Sequence, residues 1–285
     1  MFTETVIESK GKPITVTLLD ANHCPGAVMF LFQVGKRRIL HVGDFRWNRE
    51  IMLQQGPLKA IASRQTVLDE IFLDTTYNDP KYALPTQAAA IQATITEVQR
   101  EVERCRVNNS KTLHLFGAYT IGKERIYLSV AEHFGWKVYV DKVRFRIMSA
   151  FHWPQERMAM FTTNPEETCL WVVPLGHINM KKAPEYFRLA NNKPFAKLFD
   201  RIVGYRPTGW SLGSSPSAKI VTTRESGNVK VVSVPYSEHS SFPELLDCLE
   251  CLRPQKIVPT VNASKGVEQV HSLIAALRHK QTRLI

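Results

Sequence analysis

Three stretches of this 285-residue chain place possible metal ligands where an apolar run ends. Val229 to Val234 leads into Pro235-Tyr236-Ser237-Glu238-His239-Ser240-Ser241, with Pro243 opening a helix behind it. Ile14 to Leu19 leads into Asp20-Ala21-Asn22-His23-Cys24-Pro25-Gly26, and Arg38 to Val42 ends at Gly43-Asp44-Phe45-Arg46. Strand ends are where α/β proteins gather their chemistry. Imidazole nitrogens and carboxylate oxygens suit zinc and similar ions. A carboxylate shared by two ions about 4 Å apart suits phosphodiester hydrolysis. One such histidine is more often a core or capping group. Three candidates, each in a Gly- or Pro-bounded turn after a strand, favour a shared site.

A second feature offers phosphate chemistry. Thr112 to Phe116 reads as a strand and Arg125 to His133 as a helix, joined by Gly117-Ala118-Tyr119-Thr120-Ile121-Gly122-Lys123-Glu124. A strand, a glycine-bearing turn with a lysine and a helix start present amides and a cation to a phosphate. Glu124 after the lysine departs from a Walker motif.

The elements that must position these groups alternate between strands and helices. Strands are expected at 14–19, 27–34, 38–42 and 67–73, the last ending at Asp74-Thr75-Thr76-Tyr77. One helix is expected at 51–64 and a long one at 86–107, where Ile91, Ile95, Val98 and Val102 recur at helical spacing. Further strands are expected at 137–140, 158–162, 169–174, 200–203, 229–234 and 256–261, and helices at 181–189, 242–252 and 267–278. Ser211 to Ser217 reads as a loop and a seam.

Composition narrows the class. The formal net charge of +11 favours polyanionic partners such as nucleic acid. Five cysteines, an odd and sparse count, suit a reducing compartment. Cys248 and Cys251 form a CxxC, but Leu246, Leu249 and Leu252 make that stretch an amphipathic helix rather than a zinc site. No apolar run reaches the roughly 20 residues of a membrane span, so no membrane partner is expected. Met1 to Lys12 does not read as a signal peptide.

The ordered stretches DANHCPGAVMFLF, HVGDFR, LDTTY, YTIGKE, RPTGW, PYSEHSS and PTVN resemble the DNA cross-link repair nucleases. These form the Artemis/Apollo group of the metallo-β-lactamase superfamily, β-CASP division. The resemblance runs from about residue 14 to 262 and is greatest to the interstrand cross-link repair exonucleases. It implies an α/β fold: a metallo-β-lactamase αββα sandwich over 1–80, an inserted β-CASP domain over 81–209, and the sandwich's return over 210–285. It also implies metal-dependent 5′–3′ trimming of DNA, one or two zinc ions, and a nuclear protein. The implied partners are single-stranded or damaged DNA with a 5′-phosphate and other repair proteins. By this resemblance His23, Asp44 and His239 are metal ligands, with Asp44 bridging. Asp44, Asp74 and His239 are catalytic. Tyr77, Lys123, Thr208, Ser240 and Ser241 surround the 5′-phosphate and the scissile phosphate.

One departure stands out. The group's leading HxHxDH motif has no counterpart, since no two of the nine histidines lie within two positions of each other. The chain therefore resembles the family without its N-terminal portion, an incomplete sandwich with exposed apolar strand faces. It is read as a piece of an active nuclease. One rival is a non-catalytic nucleic-acid-binding or scaffold fragment. Another is an RNA-processing nuclease, against which Val261 argues, because RNA-processing relatives are expected to carry histidine there.

Overall fold

A computed structural model describes residues 4–192, 198–209 and 220–282. The chain divides into two compact units, one built from residues 1–83 and 238–285, the other from 84–237.

The first unit opens with the hairpin β1 (Glu4–Ser9) and β2 (Lys12–Asp20). Lys10 and Gly11 both take positive φ at its turn, as tight hairpins demand. Strands β3 (Val28–Val34) and β4 (Arg37–His41) continue antiparallel. The helix expected over 51–64 is two helices, α1 (Arg49–Met52) and α2 (Gly56–Ala62). Pro57 has no N–H to continue a helix and instead opens α2. The break frees Gln55, whose side chain accepts from the Asp20 N–H (2.8 Å) and donates to the Asp20 carbonyl (3.1 Å). Strand β5 (Glu70–Leu73) is parallel to β4.

In the second unit, α3 (Gln87–Asn108) precedes β6 (Thr112–Ala118) and α4 (Glu124–Phe134). Then come β7 (Val138–Tyr139), α5 (Lys142–Ser149), α6 (Gln155–Met158), β8 (Phe161–Thr162), β9 (Leu170–Pro174) and α7 (Ala183–Asn191). Strands β10 (Arg201–Pro207), β11 (Thr222–Ser226) and β12 (Val229–Val234) complete the sheet. Its order is β11-β12-β10-β6-β9-β7-β8, parallel apart from the antiparallel edge β11. Met158, expected in a strand, closes α6. Strand β12, assigned by sequence to the returning 210–285 segment, instead pairs with β10 from Ile202↔Val229 to Pro207↔Val234. A nearly all-buried strand with valine at four of its six positions needs partners on both sides, and it finds them in β10 and β11. Trp210 and the seam at 211–217 lie outside the described residues.

Helix α3 is tied to this sheet by buried charge. Lys230 reaches Glu97 and Glu101 (2.7 Å to the latter), and Arg201 Nε donates to Glu101 at 3.1 Å. Burial works to raise both carboxyls, but their cationic partners prevail and hold them below the ordinary range.

The chain then returns to the first unit with α8 (Phe242–Leu252), β13 (Lys256–Pro259) and α9 (Gly266–Thr282). Strand β13 pairs parallel with β5, giving the mixed order β1-β2-β3-β4-β5-β13. Leu19, Met29, Leu31, Leu40, Ile71 and Leu73 pack in one core with Met52, Leu58 and Ile61 below, and with Leu245 and Leu249 of α8. Cys248 and Cys251 are buried in the same core, which pushes both thiols up. Alternate strand residues face the other way: Phe30, Phe32, Ile39 and Phe72 are only partly buried, and Phe30 is 39% exposed.

Candidate metal centre

Three loops of the first unit converge. The loop after β2 begins at Asp20, pinned by Gln55. Asp20 Oδ1 accepts the Asn22 N–H (2.6 Å), and Asn22 takes a left-handed φ of 53°. The Ala21 N–H donates to the Ala27 carbonyl, closing a tight loop that presents His23. Gly43, with φ 58°, turns the chain after β4 and leaves the next residue, Asp44, exposed. His239 stands just ahead of α8, in a segment held by Ser240, whose N–H donates to the Phe45 carbonyl at 3.0 Å.

One ligand atom each from His23, Asp44 and His239 lies within 4.8 Å of the others. Donors bound at about 2.1 Å to a common ion stand roughly 3 to 4 Å apart, so small rotations suffice. The second nitrogens fit the same purpose. His23 Nδ1 donates to the Glu238 carbonyl (2.9 Å), and His239 Nδ1 donates to Asp74 Oδ2 (2.7 Å). Both rings are thereby oriented with the proton on Nδ1 and the lone pair on Nε2, the arrangement usual for metal-binding histidines. The two rings meet edge to face, with centroids 4.7 Å apart.

Asp74 is buried, and burial alone pushes its carboxyl upward. The hydrogen bond and charge of His239 overcome that push, helped by Thr76, and the carboxyl sits below its ordinary value. Asp74 is thus an anionic acceptor behind the His239 ring rather than part of the cluster.

The phosphate-site candidates divide. Tyr77 is buried, with its ring 6.2 Å from that of His239. Ser240 is engaged with the backbone. Its buried hydroxyl accepts the Trp47 N–H (2.9 Å) and donates to the Phe45 carbonyl (3.2 Å), so it holds the backbone of the Asp44 loop. Ser241 is the N-cap of α8, and its N–H donates to Glu244 Oε2 at 2.7 Å. In the second unit, Lys123 has a φ of 67° at the N-cap of α4, its ammonium 5.4 Å from the Tyr119 ring and 5.5 Å from the Tyr236 ring. The Thr208 N–H donates to the Val234 carbonyl, continuing the β10–β12 pairing.

Sequence reasoning missed the groups that join the loops. Arg46 is buried, and its Nη2 and Nε lie 3.0 and 3.2 Å from Glu244 Oε1. Trp47 Nε1 donates to Asp247 Oδ2 (2.6 Å), which also accepts from Arg49. The one available signal was Glu244, three places after Ser241 in the capping-box spacing.

Residues 155–265 match the family described as DNA repair metallo-beta-lactamase. The chain is 35% identical to the DNA cross-link repair 1A protein of Mus musculus over 92% of its own length and 24% of the relative's. Residues 155–265 thus carry the similarity to the DNA repair metallo-beta-lactamase family, and most of the chain is similar to cross-link repair proteins. The chain is also 34% identical to the DNA cross-link repair protein SNM1 of Arabidopsis thaliana (87% of the chain, 49% of the relative). Its identity to the 5′ exonuclease Apollo of Gallus gallus is 31% (88% and 46%). It thus spans about half or less of each of these relatives. A crystal structure of a protein of unknown function from Enterococcus faecalis V583 shares the fold, with a TM-score of 0.53 and 16% identity over 93% of this chain and 61% of that one. The mixed α/β architecture with two mixed sheets agrees with a metallo-beta-lactamase type of fold. Metal ions are implied by this family, and the His23, Asp44 and His239 donor set fits one.

Proposed function

We propose that this chain is the working part of a metal-dependent 5′–3′ exodeoxyribonuclease of interstrand cross-link repair, acting in the nucleus. The observation that carries the reading is the His23–Asp44–His239 cluster with both Nδ1 atoms already engaged. The names of the relatives, cross-link repair proteins and a 5′ exonuclease, supply the substrate class. The nitrogen and oxygen donors suit zinc. An ion held there supplies Lewis acidity towards water and phosphate oxygen. The protein's own contribution is orientation: Asp74 and the Glu238 carbonyl aim the two rings, and Gly43 turns the chain so that Asp44 stands open to solvent. Lys123 is the candidate cation for a substrate phosphate; Thr208 in the same unit, and Tyr77 and Ser241 in the first unit, are the other residues proposed to contact substrate phosphates. The net charge of +11 accords with a DNA partner.

The test is digestion of 5′-phosphorylated single-stranded DNA by the purified chain with added zinc. Cleavage that disappears in His239→Ala and Asp44→Ala supports the reading. A rate on RNA equal to or above that on DNA would overturn the DNA assignment. No cleavage with salt-sensitive DNA binding intact would point instead to a non-catalytic binding module.

A further inference from the structure

The three ligand-bearing loops share one residue that is itself no ligand. The Arg46 N–H donates to the Ala21 carbonyl at 3.0 Å, and the Arg46 carbonyl accepts from Asn22 Nδ2 at 2.9 Å. Both bonds hold the loop of His23. Two residues earlier the same backbone carries Asp44. The guanidinium then reaches Glu244 Oε1, while Glu244 Oε2 takes the N–H of Ser241, two residues beyond His239. Arg46 is 2% exposed. A charge taken out of water so completely is costly unless paired, and an ammonium could not match the span of a guanidinium here.

We infer that Arg46 and Glu244 form a positioning pair that sets the affinity of the His23–Asp44–His239 site for a divalent ion, by locking the three loops in register. This rests on the metal reading above and assigns the pair no contact with the ion. The neighbouring cluster of Asp247 with Trp47 and Arg49 joins the same loop to α8 through side chains that touch neither the loop of His23 nor the backbone at Ser241, while Trp47 reaches Ser240 only through its backbone N–H. It therefore serves as an internal control for loss of stability alone.

The experiment titrates the full chain with cobalt(II) chloride, following visible absorption, alongside thermal unfolding without metal. Arg46→Met and Glu244→Gln are each expected to weaken cobalt binding about 10- to 100-fold, as losses behind metal ligands do. The double variant should be weaker by less than the sum of the two single losses, because both remove the same ion pair. Arg46→Lys should recover only part of the loss. Asp247→Asn should lower the unfolding midpoint while leaving cobalt affinity within about twofold. Should Arg46→Met prove too unstable to titrate, Glu244→Gln and Arg46→Lys decide the matter. Unchanged cobalt affinity in these variants, or an equal loss in Asp247→Asn, overturns the positioning role and leaves the metal site standing. If the unaltered chain gives no cobalt signal, the metal site and the positioning role fall together.

Discussion

His239 Nδ1 lies 2.7 Å from Asp74 Oδ2, so the ring of this proposed ligand is aimed by a buried carboxylate 165 positions earlier in the chain. The bond fixes which nitrogen carries the proton. It also gives Asp74 a reason to stay ionised despite its burial.

Asp74→Asn should keep the fold and lose the anchor. An amide can present oxygen or nitrogen to the ring and no longer holds a charge against it. Zinc affinity, read by competition with a chromophoric chelator, is expected to fall by about 10- to 100-fold.

The same carboxylate sets a pH dependence. Its folded pKa is depressed, so the stability it contributes is fully present above the ordinary value of 3.8. It is lost as pH falls through the lower folded value. Urea unfolding of metal-free protein should therefore show a gap between the unaltered chain and Asp74→Asn at pH 6 that narrows below pH 4. A gap that widened on acidification would contradict the ionised assignment.

In the second unit, Lys230→Met leaves Glu97 and Glu101 buried beside a neutral side chain. Removing one partner of a buried ionic cluster costs about 3 kcal/mol or more, measurable by chemical denaturation. Arg104→Ala, on the exposed rim and 3.7 Å from Glu101, should cost less than about 1 kcal/mol.

Lys123 pairs a charge with a left-handed backbone. Lys123→Gly relieves the backbone strain of about 1 kcal/mol that any other side chain pays at this φ, and Lys123→Ala does not. Both should weaken binding of 5′-phosphorylated oligonucleotides and flatten its salt dependence, with the glycine variant the more stable. Fluorescence anisotropy across salt concentrations separates the two effects.

Gly117 sits where a Cβ would come within 2.8 Å of Ile178, 2.9 Å of the Leu175 side chain and 3.2 Å of its Cα. Gly117→Ala is expected to destabilise by about 1 to 3 kcal/mol, seen as a lower denaturation midpoint.

What the sequence disclosed was local. His23, Asp44 and His239 each follow an apolar run and sit beside Gly or Pro, so their turns could be read without knowing their neighbours. The fixed tautomers were not legible, because a carboxylate 165 positions away and the Glu238 carbonyl create them. Arg46 looked like an ordinary charge until Glu244, 198 positions on, explained its burial. Ser240 read as a hydroxyl beside a ligand, and only the partners Trp47 and Phe45 reveal a structural duty. The affiliation of β12 was equally hidden, since Glu97 and Glu101, the partners of its buried Lys230, lie more than a hundred positions away.

The ligand loops also have a topological meaning. Phe45 and Ser240, which touch through backbone and hydroxyl, are 195 positions apart, and a complete compact unit lies on the chain between them. An ion gripped by Asp44 and His239 would act as a reversible staple across that span. Cross-links closing loops of about 100 residues remove roughly 5 kcal/mol of freedom from the unfolded chain, and the gain grows only slowly with length. Chelation of a loaded protein would thus loosen the joint between the two distant halves of the first unit, while the unit threaded between them keeps its own fold.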